Sequence, residues 1–575
     1  MRSKVDILKE RIRAARGEIP SDLVLKSGKV VDVFCGEIRE ADVAVHQGGI
    51  VGVGPGYSGR EEVDCRGRWI VPGFIDGHLH IESSMVLPSG LAAALAPWGT
   101  AAIVADPHEI ANVMGLDGVR FMLKDSSSAP VDVFFMAPSC VPATHLESSG
   151  AELPASELKS LMKEPRVLGL AEMMNYPGVL SGADEVLEKI VLFRDKVIDG
   201  HAPGLGGRDL QAYLTAGIRS DHETTDRRSG MEKVRQGMML MIREGTSARN
   251  LEELVPLVSD RNFWRFCFVS DDLHPRDILD RGHLNFMVRK AVQLGLDPVT
   301  AVRLATISPA SYFGLRDRGA VAPGYKADLV VLEDLESFYV HRVYKNGILV
   351  AEDGNLCVGV SKKRKPNEAE PLKVAGLSLE SFRIPGCAGN GRIIELIPHQ
   401  IVTRTRYEPV KCENGFVQAD VASDILRLAV VERHHGTGRI GLGLVKGFGL
   451  KTGALASSVA HDSHNIIAVG VGEEDLLLAV REVVNMGGGI SVASGNRVLS
   501  SMPLEIGGLM TSASIRDVAV RMEELLRAAA SLGCTVPEPF MILSFLALPV
   551  IPESRLTDLG LVDMNRFEVV PLFVE

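Results

Sequence analysis

His78-Leu79-His80 is the run with the clearest chemical content. Residues i and i+2 of an extended strand point to the same side, so the two imidazoles can reach one metal ion. Glu172, His201, His222 and Asp271 each close a further short apolar run. Together these side chains offer four imidazoles and two carboxylates, enough for two divalent ions that share a carboxylate and a solvent bridge. Two such ions about 3.5–4 Å apart generate hydroxide near neutral pH, so the implied reaction class is hydrolysis at an electrophilic carbon.

Other groups could support that chemistry. Glu82 follows His80 by two residues, and the run Asp106-Pro107-His108-Glu109 ends the second apolar strand. Both are candidates for contacts to a substrate ring or for holding the metal ligands, since buried heterocycle edges need matched donors and acceptors. The bland reading of His108 and Glu109 is a helix start, because IANVMGLDGVRFMLK follows with helical periodicity. Glu223, beside His222, reads equally as a salt-bridge partner. His461, Asp462 and His464 in AHDSHN read either as a polar turn between strands or as groups reaching a neighbouring site. His434-His435 reads as surface or interface. Gly436-Thr437-Gly438-Arg439-Ile440-Gly441 matches GxGxxG, but a second glycine-rich run stands where the dinucleotide fingerprint requires a helix. His80-Ile81-Glu82 matches H-x-E, yet no PCxxC accompanies it, which excludes the zinc cytidine-deaminase scaffold.

Positioning these residues requires a repeated strand–helix array. Eight apolar runs end in polar residues: PGFIDGHLHIE, TAAIVADPHE, VDVFFMAPSCVP, RVLGLAEMMNYP, KVIDGHAPG, TAGIRSDHE, GMMLMIREGTSARN and FCFVSDDLHP. Their number and spacing predict a TIM-like (β/α)8 barrel within an α/β protein, with its active site at the carboxyl ends of the strands. Upstream, Leu23–Ile70 alternates β-rich runs with turns, the pattern of a small antiparallel sheet. Downstream of a helical stretch at 297–314, GAVAPGYKADLVVLEDLESFYVHRVYKNGILV returns to short strands. The expected division is residues 1–70 and 321–365 as two parts of one β-sandwich, 71–320 as the barrel, and 366–575 as a C-terminal α+β domain. The charged, proline-bearing run 361–371 reads as a linker. An amphipathic helix is expected near 515–532.

Composition fits this picture. The chain has 575 residues, more than one core accommodates, and its formal charge of −11 argues against a nucleic-acid-coating surface. Its first twenty residues carry charges through any would-be signal core, and its most apolar stretches are broken by proline and glycine. The expectation is a cytoplasmic protein with no membrane span. Eight cysteines without a CxxC pair read as free and mostly buried thiols.

PGFIDGHLHIESSM, the single histidines after strands five and six, and SDD after strand eight resemble the amidohydrolase superfamily over residues 23–355. HIESSM, DPHEIANVMG, PSCVPAT, GLAEMMNYPGV, DGHAPGLGG, MIREGTSARN and AHDSHN resemble its adenine deaminases across nearly the whole chain. That resemblance implies a binuclear centre held by His78, His80, Glu172, His201, His222 and Asp271, with Glu172 bridging. It implies manganese or iron, with zinc compatible with the same donors. The implied reaction is hydroxide attack on C6 of free adenine and loss of ammonia to give hypoxanthine, with Asp271 as proton shuttle and the protein a homodimer. Two rivals remain open at this level: another binuclear amidohydrolase acting on a cyclic amide or a different aminated base, and a non-catalytic barrel homologue.

Overall fold

A computed structural model of the chain describes residues 3–359, 372–386, 389–398 and 400–574. The expected linker at 361–371 lies outside the described residues.

Eight parallel strands form the central barrel: β1 (Phe74–Leu79), β2 (Thr100–Ala105), β3 (Asp132–Ala137), β4 (Val167–Met173), β5 (Val197–Gly200), β6 (Ser220–Asp221), β7 (Met239–Arg243) and β8 (Phe266–Val269). They are hydrogen-bonded as a five-stranded and a three-stranded sheet. The strands are short and apolar because both faces are covered. Ala102, Val104 and Met136 pack among the inward side chains of the other strands, whereas Ile103, Ala105 and Phe135 pack outward against helices. The ring closes between β1 and β8, where His80 N–H donates to Asp271 O at 3.2 Å and Asp271 N–H donates to His78 O at 3.0 Å. Asp76 reinforces the seam. It accepts from His78 N–H at 3.1 Å and Ser270 Oγ–H at 2.6 Å, and lies 2.9 Å from His283 Nε2.

Both flanks of the barrel contribute to one nine-stranded sheet. Trp69–Pro72 pairs antiparallel with Leu329–Leu332, which ties the upstream and downstream segments together. One detail differs from expectation. The flanking sheet is mixed, because the chain after Gly49–Gly54 crosses back and Gly59–Asp64 enters parallel to Ser21–Asp32. The sheet folds over a core of Leu25, Val43, Ile70, Leu329 and Tyr344, with Gly59–Asp64 branching from Ser21–Asp32 off the main strand order.

The C-terminal segment forms a second nine-stranded sheet with helices on its faces. Alternation sorts its residues: Ala429, Ala454, Ala456 and Ala468 meet the helix Glu473–Asn485, and Leu428, Leu455, Ile467 and Val492 face the core shared with Ile515–Ser531. The small alanines let the first helix approach closely. The second helix starts at a capping box between Ser514 and Asp517. The GxGxxG run leads into the strand Ile440–Lys446, not into a helix.

The cysteine expectation needs correction. Cys412 is disulfide-bonded, and of the free thiols Cys35, in a turn, and Cys357, just past a strand end, are exposed, whereas Cys65, Cys140 and Cys267 are buried. Among the described residues, no helix is long and apolar enough to cross a membrane.

Candidate active site

The six strand-end residues converge on Glu172. His80 Nε2 lies 3.3 Å from Glu172 Oε1 and 3.2 Å from Asp271 Oδ1, and His78 Nε2 lies 3.7 and 3.4 Å from the same two oxygens. On the other side, His201 Nδ1 is 2.7 Å and His222 Nε2 3.3 Å from Glu172 Oε2. One carboxylate therefore has two imidazoles at each oxygen. All of these side chains are buried except His201, which is half-buried. Subsets of them bring their ligand atoms within 4.8 Å of one another, as a metal site requires.

Local structure fixes each member. The i, i+2 spacing of β1 delivers His78 and His80, and the β1–β8 seam places Asp271 beside them. Asp271 is held at φ +56°, a left-handed conformation that a non-glycine residue adopts at a cost. His201 and His222 sit on adjacent strand ends joined by Asp221, whose Oδ1 accepts from Ala202 N–H at 2.8 Å. Lys233 completes that junction, with Nζ 2.9 Å from Asp221 Oδ2 and 2.8 Å from Ala202 O.

The charges are strongly coupled. Burial alone would raise the Glu172 carboxyl, but His222, His201 and His80 hold it well below the usual carboxylate range. Burial alone would lower His222, yet Glu172 outweighs it and lifts the imidazole to about 9. For Asp271, burial is outweighed by Arg243 and by His78 and His80, so it too lies well below its ordinary value.

Arg243 is the residue that sequence reasoning missed. It ends β7, and its guanidinium donates to Asp271 Oδ2 at 2.7 Å and to Glu223 Oε2 at 3.0 Å. The signal was present, since MIREGTSARN closes a strand like the others, but an arginine is no metal ligand. Glu223 is the salt-bridge partner of Arg243 and stands 3.5 Å from His222 Nε2.

Beside this cluster lies a second one. His108 and Glu109 are the first residues of the helix His108–Asp125, so the helix-start reading and a place at the site hold together. His108 Nδ1 is 3.2 Å from Asp106 Oδ2 and 3.8 Å from Glu172 Oε1. Glu82 Oε1 accepts from Ile110 N–H at 3.1 Å, and burial followed by the nearby Glu109 pushes its carboxyl up to about 7. From the C-terminal domain, His461 Nδ1 reaches Glu109 Oε1 at 2.7 Å, His464 Nε2 bonds Glu109 Oε2, and Asp462 Oδ1 is 3.8 Å from His108 Nε2. The turn between strands is thus also a wall of the site. His434 is buried and bonds Ser463 O at 2.7 Å within the C-terminal domain, whereas the exposed His435 bonds Ser149 O at 2.9 Å on a barrel loop, so the surface-or-interface reading holds for His435.

Two family models match the chain. The amidohydrolase family matches residues 69–350, and the adenine deaminase C-terminal domain matches residues 400–568. A protein named adenine deaminase from Desulfatibacillum aliphaticivorans is 50% identical, over 98% of this chain and 99% of the relative. Another from Methanothrix thermoacetophila is 49% identical over 99% of this chain and 100% of the relative. Adenine deaminase 2 from Carboxydothermus hydrogenoformans is 47% identical over 98% and 99%.

Proposed function

The chain belongs to the adenine deaminases of the amidohydrolase family, and on that premise we propose that it hydrolyses adenine to hypoxanthine and ammonia. The observation that carries the reading is the Glu172-centred cluster, in which four imidazoles and a second carboxylate surround both oxygens of one buried carboxylate.

The donor set fits the divalent cations that the family implies. All its atoms are imidazole nitrogens or carboxylate oxygens, and His78 Nε2 is buried without a hydrogen-bond partner, so its lone pair is available to a cation. We assign His78, His80, His201, His222 and Asp271 as terminal ligands and Glu172 as the bridge, for two Mn²⁺ or Fe²⁺ ions, with Zn²⁺ compatible. When bound, such ions act as Lewis acids and bring the pKa of water from 15.7 to about 7.

The chain's own residues do the rest. Arg243 occupies Asp271 Oδ2, so Oδ1 faces the imidazoles and is the atom proposed to take up a proton and return it to the leaving amine. Glu82 and Glu109 are proposed to meet the purine ring, with Asp106, His108, His461 and His464 supporting them. The interior is buried enough to exclude bulk water and strengthen each of these contacts. The proposal carries with it the expected domain division, a homodimer and a cytoplasmic location.

The test is ammonia release from adenine by protein reconstituted with Mn²⁺, with adenosine, guanine, cytosine and a dihydropyrimidine as controls and bound metal counted. Adenine turnover with about two metals per chain supports the proposal. Two metals without adenine turnover leave the hydrolytic centre and discard the substrate.

A further inference from the structure

Glu109 lies on the barrel, yet both of its oxygens are engaged by imidazoles of the C-terminal domain. His461 Nδ1 is 2.7 Å from Oε1, and His464 Nε2 bonds Oε2. The protonation of His464 is fixed by its other nitrogen. Ala460 N–H donates to His464 Nδ1 at 3.1 Å, so Nδ1 carries a lone pair and the ring proton sits on Nε2, aimed at Glu109. That tautomer makes His464 a hydrogen-bond donor to Glu109 and unsuited to binding a cation through Nε2.

The loop bearing these histidines is itself held. His464 adopts φ +56°, where a non-glycine residue is strained, and Arg433 bonds its carbonyl. His461 is stacked on Phe545, with ring centroids 4.6 Å apart and planes at 17°, and its backbone N–H donates to Ser544 O at 3.1 Å. On the barrel side, His108 Nε2 is 3.5 Å from Glu109 Oε1 and 3.8 Å from Asp462 Oδ1. A continuous set of contacts therefore runs from the C-terminal loop through Glu109 to His108, which borders Glu172.

We propose that His461 and His464 are positioning residues: the C-terminal domain fixes the Glu109 carboxylate by two imidazole N–H donors and so orients the Glu109–His108 pair against substrate. This role rests on the deaminase reading for its kinetic consequence but not for its geometry. It gives the C-terminal domain a chemical task, that of completing a site whose metal-binding residues are all on the barrel.

The test pairs truncations with donor-matched replacements in the full-length, Mn²⁺-loaded protein. His461→Ala and His464→Ala should each lower kcat/KM for adenine by about 10–100-fold with metal content unchanged. His461→Asn and His464→Gln, which return an N–H near Nδ1 and Nε2, should recover most of the loss, a rescue that a purely packing role does not give. Independently of activity, ¹⁵N NMR of histidine-labelled protein should show a His464 signal with a protonated Nε2 and an unprotonated Nδ1, shifted by Glu109→Gln. Wild-type kinetics in both alanine variants, or a His464 protonated on Nδ1 alone, would overturn the proposal. If wild-type protein forms no ammonia from adenine, the deaminase reading fails and the NMR result decides the clamp.

Discussion

Arg243 binds Asp271 from the far side of the Glu172-centred cluster: its guanidinium donates to Asp271 Oδ2 at 2.7 Å while Asp271 Oδ1 faces His78 and His80 at 3.4 and 3.2 Å. The same guanidinium holds Glu223. Replacing one member of a buried ion pair leaves its partners uncompensated, which costs about 3–5 kcal/mol. Arg243→Met should therefore lower the thermal transition and reduce kcat. Arg243→Lys, which keeps the charge but loses the fork, should restore more stability than turnover. Equal recovery of both would deny the guanidinium a part in orienting Asp271.

The two proposed roles of the carboxylates separate by substitution. Glu172→Gln should bind fewer than two Mn²⁺ per chain and lose roughly 100-fold or more in deamination, because one charge serves both sides of the cluster. Asp271→Asn should lower turnover more than metal content. Metal analysis beside steady-state kinetics reads both, and full occupancy with full activity in Glu172→Gln would remove it from the bridge.

Lys233 is fully buried and joins the loops that carry His201 and His222 through Asp221. Lys233→Met should destabilise the protein by about 3–5 kcal/mol, since Asp221 is left as a buried, uncompensated charge. Adding Asp221→Asn should recover part of that loss. Calorimetry of the single and double variants measures the coupling, and strict additivity would show that the pair is not what joins the loops.

Acid sensitivity should arise partly at Asp132, where β3 meets the flanking sheet. Burial would raise its pKa, but Lys345, 2.8 Å from Oδ2, and Arg318 outweigh that and hold it at about 2, below its ordinary value. A carboxyl depressed in the folded state stabilises above its unfolded pKa and loses that contribution as pH falls through the folded one. The contribution, about 1–2 kcal/mol after allowance for partial exposure, should be complete above about pH 4 and vanish towards pH 2. Urea unfolding of Asp132→Asn should show less stability at pH 7 and a flatter slope in that window.

The strand ends that form the candidate site were legible because each local pattern has a physical meaning. Short apolar runs ending in polar residues specify parallel strands covered on both faces, and HxH on the first of them specifies two imidazoles on one side. Glu172, His201, His222 and Asp271 could be read as one set because a barrel brings successive strand ends to one mouth. The mixed pairing of the flanking sheet was not legible, since β-rich runs and turns carry no information about which strand returns beside which. Arg243 escaped for a different reason: its importance lies in the carboxylates it meets, and these belong to other strands.

Sequence alone therefore determined the elements and the chemical character of the barrel mouth, through periodicities that act over a few residues. Tertiary structure decided which charges neutralise one another and what the C-terminal domain does there. Glu109 and His461 stand 352 positions apart, and nothing local to either implies the other. Their contact depends on how two separately patterned surfaces pack, and in a buried site that packing sets which oxygen is held and which nitrogen carries the proton.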